Sequence, residues 1–203
     1  DVKLSLSANV DKVWVGPKHF LKKITGTLNR ADNRWHGISI DGTLSSGEKF
    51  DVLLRPKGQG KRWVKIRTTD AGNMLRTLDV YDTMVGGTLD VEATFDDTID
   101  DNPLTGEVLI RDYRLVDAPA LAQLVGEMTL ARLKEALQGD GLAFSKFTAP
   151  FVIKNGVIDV KNVKATGLSL GYTAKGKIYT FTEAIDIEGT VVPIYALNSV
   201  LGN

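Results

Sequence analysis

The chain has 203 residues, with 25 basic and 25 acidic side chains, two His and no Cys. Its length favours one domain, its 43% hydrophobic content supports an apolar interior rather than disorder, and an aromatic share of only 7% makes that interior mostly aliphatic. Zero net charge argues against a chain whose main task is gripping nucleic-acid phosphates. The missing Cys excludes disulfides and thiolate sites, and no apolar run approaches the roughly 18 residues of a membrane-spanning helix.

Taken in chain order, the pattern is dominated by alternation with period two, the mark of strands with one apolar face. Val2, Leu4, Leu6 and Ala8 alternate with Lys3, Ser5 and Ser7 from the outset. Beginning in mid-pattern, with no leader, the chain reads as a fragment of a larger protein. Further strands are expected near 20–30, 34–44, 48–56 and 61–68, with hairpin-like turn chemistry at Asp41-Gly42 and Lys57-Gly58-Gln59-Gly60-Lys61. The spacing of Met74, Leu75 and Leu78 then predicts a helix over 70–81.

Alternation resumes at Leu89, Val91, Ala93 and Phe95 and continues through a strand near 105–115. A second helix is predicted over 118–138, where Leu121, Leu124, Val125, Met128, Leu130, Leu133 and Leu137 recur at helical spacing. Asp117 stands as N-cap, Pro119 in the first turn and Gly139 as the stop. Phe147, Ala149, Phe151 and Ile153 open the last stretch of strands, followed by Asn155-Gly156 and a strand near 156–165. Leu168, Leu170, Tyr172, Ala174 and Ile178, then Ile185, Ile187 and Val191, complete it.

The total is roughly eleven strands joined by short links, hence an antiparallel meander. Glycines at 26, 37, 106, 167, 171, 176 and 189 fall within or at the ends of the strand patterns, where they point to strong curvature. The expected fold is therefore mainly β: a long, curved antiparallel sheet forming an open groove, with two α-helices, over a single domain, 1–203. Arg67–Gly72 and Arg114–Pro119 place Arg, Asp and Ala alike at a strand-to-helix junction, a weak internal repeat.

Four constellations invite a chemical reading. Gly167-Leu168-Ser169-Leu170-Gly171 matches a nucleophile elbow, which needs a helix after the Ser and a His downstream; here strand alternation continues and both His residues lie upstream. His19 and His36 have no partners at metal-ligand spacing. Asp96, Asp97, Asp100 and Asp101, with Glu107 beyond, do not fit a calcium loop and read as a solvated acidic loop. Arg55, Lys57, Lys61, Arg62, Lys65 and Arg67 around Trp63 form a basic hairpin that nucleic acid or anionic lipid could use; a charged face resisting edge-to-edge pairing is the preferred explanation.

Asp117-Ala118-Pro119-Ala120-Leu121-Ala122 and Gly139-Asp140-Gly141-Leu142-Ala143-Phe144, followed in order by Asn155-Gly156-Val157-Ile158, Gly167 to Gly171 and Gly189-Thr190-Val191-Val192-Pro193-Ile194-Tyr195-Ala196-Leu197-Asn198, resemble the AsmA-like C-terminal region. Upstream, Asp70-Ala71-Gly72-Asn73-Met74-Leu75 and Gly86-Gly87-Thr88-Leu89 resemble the preceding part of the YhdP-like branch. The resemblance covers residues 60–203, and the first third only in general style. It implies a periplasmic segment of a Gram-negative envelope protein of the bridge-like lipid transfer class, anchored in the inner membrane by a helix this sequence lacks. The family usually continues with a Pro-Gly segment where this sequence reads Leu201-Gly202-Asn203.

The implied task is binding and conducting phospholipid acyl chains between inner and outer membrane, with no covalent chemistry, no cofactor and no metal. A sixteen-carbon chain in water costs roughly 13 kcal/mol at about 0.8 kcal/mol per CH₂, so a carrier must shield it along its length. Leu89, Val91, Phe95, Phe147, Phe151, Ile153, Leu168, Leu170, Ile178, Ile185, Ile187 and Val191 are the expected lining; the plain alternative for each is an ordinary packed core. Phospholipid is the expected partner, the two membranes being reached through parts outside this fragment, and nucleic acid is not expected. The competing function is a structural or assembly factor whose apolar face docks envelope proteins. An enzyme is not expected.

Overall fold

The structure, a computed structural model, describes residues 3–117 and 140–193. Its strands are β1 (Leu4–Trp14), β2 (Phe20–Ala31), β3 (Arg34–Leu44), β4 (Lys49–Gly58), β5 (Lys61–Thr68), β6 (Met84–Asp96), β7 (Leu104–Leu115), β8 (Leu142–Lys154), β9 (Val157–Gly167), β10 (Leu170–Tyr179) and β11 (Ala184–Pro193). All eleven form one antiparallel sheet in sequence order, with β1 and β11 as its edges among the described residues. The strands fall where the alternation places them, because period-two patterning can satisfy only a pleated surface with two unlike faces.

Two-residue turns close three of the hairpins. Asp32 and Asn33, Gln59 and Gly60, and Asn155 and Gly156 all have positive φ, the geometry that matches the twist of antiparallel strands. Asp41-Gly42, expected as a turn, lies inside β3. A Cβ on Gly42 would stand 2.5 Å from Ile24 Cδ1 and 2.8 Å from the Phe50 ring. The glycine is there so that a bulky neighbour on each side can close over it.

The expected pair of helices is corrected to one among the described residues: α1, Ala71–Thr77. The stretch 118–138 lies outside the described residues. The helix predicted over 70–81 is shorter than its apolar spacing implies because Leu78 caps it and Asp79 follows with φ +59. Its N-terminus is held by Asp70, whose carboxylate accepts from Asn73 N–H at 2.9 Å and from Asn73 Nδ2 at 2.7 Å. Arg76 ties it to the sheet, donating to Met84 O at 3.2 Å. The matching position in the proposed repeat behaves otherwise: Asp70 has φ −138, whereas Asp117 has φ +50.

The expected strong curvature is also corrected: the sheet is open and uncurled. The strand glycines serve close approach instead. A Cβ at Gly106 would meet Glu92 O at 2.4 Å, and one at Gly176 would meet Asp186 O at 2.1 Å, beside the register shift between Ala174 and Gly176.

The core lies on one face, where Leu44, Phe50, Met84, Leu89, Ile110 and Tyr113 join Ala71 and Met74 of α1 in one buried cluster. Gly72 sets how closely α1 sits, since a Cβ there would stand 2.4 Å from Met84 O, a backbone atom that cannot step aside. Gly72→Ala should therefore lower stability by about 1–3 kcal/mol through overpacking, and Asp70→Ala by about 1 kcal/mol through the lost cap. Urea denaturation of the two variants checks both, and a Gly72→Ala chain as stable as the parent would show that α1 is not seated on β6.

Candidate functional site: an apolar sheet face

Because the register is antiparallel and nearly continuous, residues from many strands line up in rows across the sheet. One row runs Val52, Ile66, Val91, Val108 and Ala149. A second runs Leu89, Ile110, Phe147, Ala165, Tyr172 and Val191. Towards the hairpin end a third runs Phe95, Leu104, Ile153, Ile158, Ile178 and Ile185. Between them Phe151 stands opposite Gly106 and Ile187 opposite Gly176. Eleven strands about 4.8 Å apart make this apolar face about 48 Å wide.

Eleven of the twelve expected lining residues are on this face. They are not equivalent. Leu89, Phe151 and Leu170 are buried, and Leu89 and Leu170 belong to the core cluster. Val91, Phe95, Phe147, Ile153, Ile178 and Val191 are half-buried. Ile185 and Ile187, on the edge strand, are exposed. Leu168 is a correction: it lies in the turn between β9 and β10 and is 81% exposed, because β9 ends at Gly167 and the alternation restarts only at Leu170.

The deepest part of the face is aromatic. Tyr113 stacks on Phe144 with centroids 5.2 Å apart, and Tyr172 meets Phe144 edge-on at 5.6 Å. Burial pushes both phenols above the ordinary tyrosine range, so each remains protonated.

The largest departure from expectation lies in the first third of the chain. Between α1 and strands β1–β5 is a cavity of about 370 Å³ whose wall presents no polar surface. Val13, Leu21, Ile24, Ile40, Leu44 and Phe50 line it with Val52 and Ile66, and Met74, Thr77 and Leu78 close it from the helix side. Leu21 and Ile24 share this wall despite an odd spacing because the register shifts between Lys22 and Thr25, where Lys23 has φ +48. None of the twelve expected residues is here. The signal that could have found it is the alternation of Ile38, Ile40 with Phe50, Val52 in adjacent strand patterns.

The opposite face is polar, and several of its charges are paired across strands. Arg67 Nε sits 3.1 Å from Asp51 Oδ2, Lys65 pairs with Glu92 and, at 3.5 Å, with Asp90, and Lys175 pairs with Glu188 at 2.8 Å. Four of the hairpin's six cations thus meet a carboxylate, and the hairpin lies between β3 and β6 inside the sheet, so protection of an edge does not account for its charge. Its Arg62 instead turns to the apolar end of the sheet. It donates twice to Asp97, at 2.6 and 2.8 Å, and once to Trp35 O at 2.9 Å, and its guanidinium stacks 4.5 Å from the Phe95 centroid. Asp96 and Asp101 of the acidic loop pair with Lys61 and Lys154. Ser169 sits in the β9–β10 turn with strand, not helix, after it, while His19 and His36 belong to β1–β2 and β3 territory several strands away. The elbow geometry is not formed.

Compared with known proteins, the chain matches no family model, no curated protein and no solved structure. Among the described residues no group of three or more His, Asp or Glu is placed to hold a metal ion, and no helix is long and apolar enough to cross a membrane.

The Arg62–Asp97 pair fixes the acid stability of this end of the face. The hydrogen bonds from Arg62 hold the Asp97 carboxyl below the usual carboxylate range despite desolvation. A depressed folded pKa contributes stability that is present above the unfolded value of about 3.9 and is lost as pH falls through the folded one. Stability measured by urea denaturation should therefore decline below about pH 3.9, and Asp97→Asn should reduce that decline while lowering stability at neutral pH. An unchanged acid limb in Asp97→Asn would assign the decline to other carboxylates.

Proposed function

We propose that the chain is a periplasmic segment of an AsmA-like, YhdP-like envelope protein, whose apolar face binds phospholipid acyl chains and conducts them between inner and outer membrane without covalent chemistry. The observation that carries this reading is the apolar face itself, whose rows run from β4 to β8 and from β6 to β11, deepened by a cavity with no polar wall surface.

The physical fit is one of kind and size. A cavity with no polar wall has nothing to orient a polar ligand, whereas hydrocarbon gains from it without any directional contact. At about 0.8 kcal/mol per buried CH₂, shielding about eight methylenes yields about 6 kcal/mol. The volume of about 370 Å³ is at the small end of ligand sites, which run roughly 300–1,000 Å³. It suits part of one acyl chain, with the rest extending along the rows of the sheet.

A second reading rests on a different observation. Most of β11 is exposed, Ile185 and Ile187 included, and among the described residues no strand pairs with its outer side. An exposed edge of this kind can accept a strand from another protein, which is what an envelope assembly factor would use.

Lipid content separates the two. Native mass spectrometry of the purified chain should show co-purified phospholipid, and Val52→Phe, which fills the cavity, should reduce it several-fold while the melting temperature holds or rises. Phospholipid retained in full by a folded Val52→Phe chain would remove the cavity from the binding site. No phospholipid on the parent chain, together with capture of an added β-strand peptide at β11, would favour the assembly role.

A further inference from the structure

The basic residues of this protein are not spread evenly, although its net charge is zero. Between Lys12 and Ala31 the sequence holds Lys12, Lys18, Lys22, Lys23 and Arg30 and no Asp or Glu. The structure folds that stretch into the end of β1, the connection 15–19 and the whole of β2. The connection is closed by Val15 N–H donating to His19 O at 3.0 Å. Among the described residues none of the four lysines is in a salt bridge. The β4–β5 hairpin is the contrast, since there Lys61, Arg62, Lys65 and Arg67 each meet a carboxylate.

Apolar groups accompany these free cations. Trp14 is 59% exposed, and Val13 and Val15 on either side of it are exposed as well, next to exposed Pro17 and Lys18. Lys12 Nζ lies 4.1 Å from the Trp14 centroid and 3.9 Å from that of Phe20, and Lys22 Nζ donates to Ser45 O at 3.0 Å. The corner therefore presents an amphipathic ring and aliphatic side chains in the middle of a patch of unpaired ammonium groups. An indole and lysine stems suit the boundary between headgroups and hydrocarbon, and ammonium groups suit anionic headgroups.

We propose that the β1–β2 tip seats on the surface of an anionic lipid bilayer, with the lysines on the headgroups and Trp14, Val13 and Val15 reaching into the interface. A nucleic-acid strand fits less well. Lys12 already occupies a face of the Trp14 ring on which a base would stack, and the two valines gain nothing from phosphate or sugar. Val13 and Leu21 of the same tip also line the apolar cavity, so a seated tip holds that cavity beside a lipid source. The seating does not depend on the cavity being filled, and a chain that binds no acyl group would still show it.

Sedimentation of the full chain with phosphatidylcholine vesicles, with and without phosphatidylglycerol, tests the tip directly. Binding is expected with phosphatidylglycerol only, and it should weaken as salt is raised. Lys18→Gln with Lys23→Gln should reduce it about 25-fold, at about fivefold per lysine near an anionic surface. Lys57→Gln, in the hairpin at the other end of the sheet, should leave it unchanged. In a Trp35→Phe, Trp63→Phe chain the remaining Trp14 emission should shift to the blue on adding the anionic vesicles and not the neutral ones. Equal binding to both vesicle types, or full binding by the double lysine variant, would overturn the proposal. Tighter binding to single-stranded DNA with the same lysine dependence would reassign the tip to nucleic acid.

Discussion

Register is the constraint on which this structure depends. In a pleated sheet a slip of one residue moves a strand's whole apolar set to the other face, and here that requirement is met ten times in succession, from β1 against β2 to β10 against β11. The hydrophobic effect supplies the reason for each strand to keep its place, since any slipped strand exposes its aliphatic side chains and buries its charges. Where the chain must depart from strict alternation it does so at identifiable points. The shift near Lys23 rotates Leu21 onto the same side as Ile24, and the shift between Ala174 and Gly176 resets β10 against β9. These irregularities preserve the face.

The two faces answer to different physics, and that division is what gives the protein a candidate site. On the polar side, several cross-strand neighbours are of opposite charge, as in Asp51 with Arg67 and Lys65 with Glu92, which adds a little stability. On the apolar side nothing is directional. Among the described residues a short helix held by Asp70 and Arg76 covers only part of that side, and the space left beneath it is the cavity. The binding capacity proposed here is thus a consequence of incomplete filling: a helix of seven residues set against the flank of an eleven-stranded sheet.

Much of this was legible in the sequence, and what was not has definite causes. Period two is a local signal, so Leu89, Val91 and Phe95, or Phe151 and Ile153, could be placed on one face without knowing their neighbours. Leu168 could not, because apolar spacing continues across the turn after Gly167 and only the backbone shows that the strand has stopped. The helix at 71–77 was legible in kind but not in length, since Leu78 sits at helical spacing and yet caps the helix. Glycines in strand patterns suggest bends, whereas at Gly106, Gly176 and Gly189 the reason is a carbonyl of the adjacent strand, a contact made across the sheet. The fate of charge was the least readable. Arg62 finds its partner in Asp97 across a separation of 35 residues, while the lysines at 12–23 find none, and nothing local distinguishes the two groups.

One feature of the topology reaches beyond binding. Among the described residues every strand pairs only with its predecessor and successor in the chain, so each new hairpin finds its docking edge already made by the one before. Such a meander can grow hairpin by hairpin, since each pairing joins chain neighbours and most of its connections are short, the longest being the one between β7 and β8. The same geometry makes it tolerant of pulling apart: tension on the two ends peels strands one at a time from the rims, and the interior sheet survives until its own turn comes.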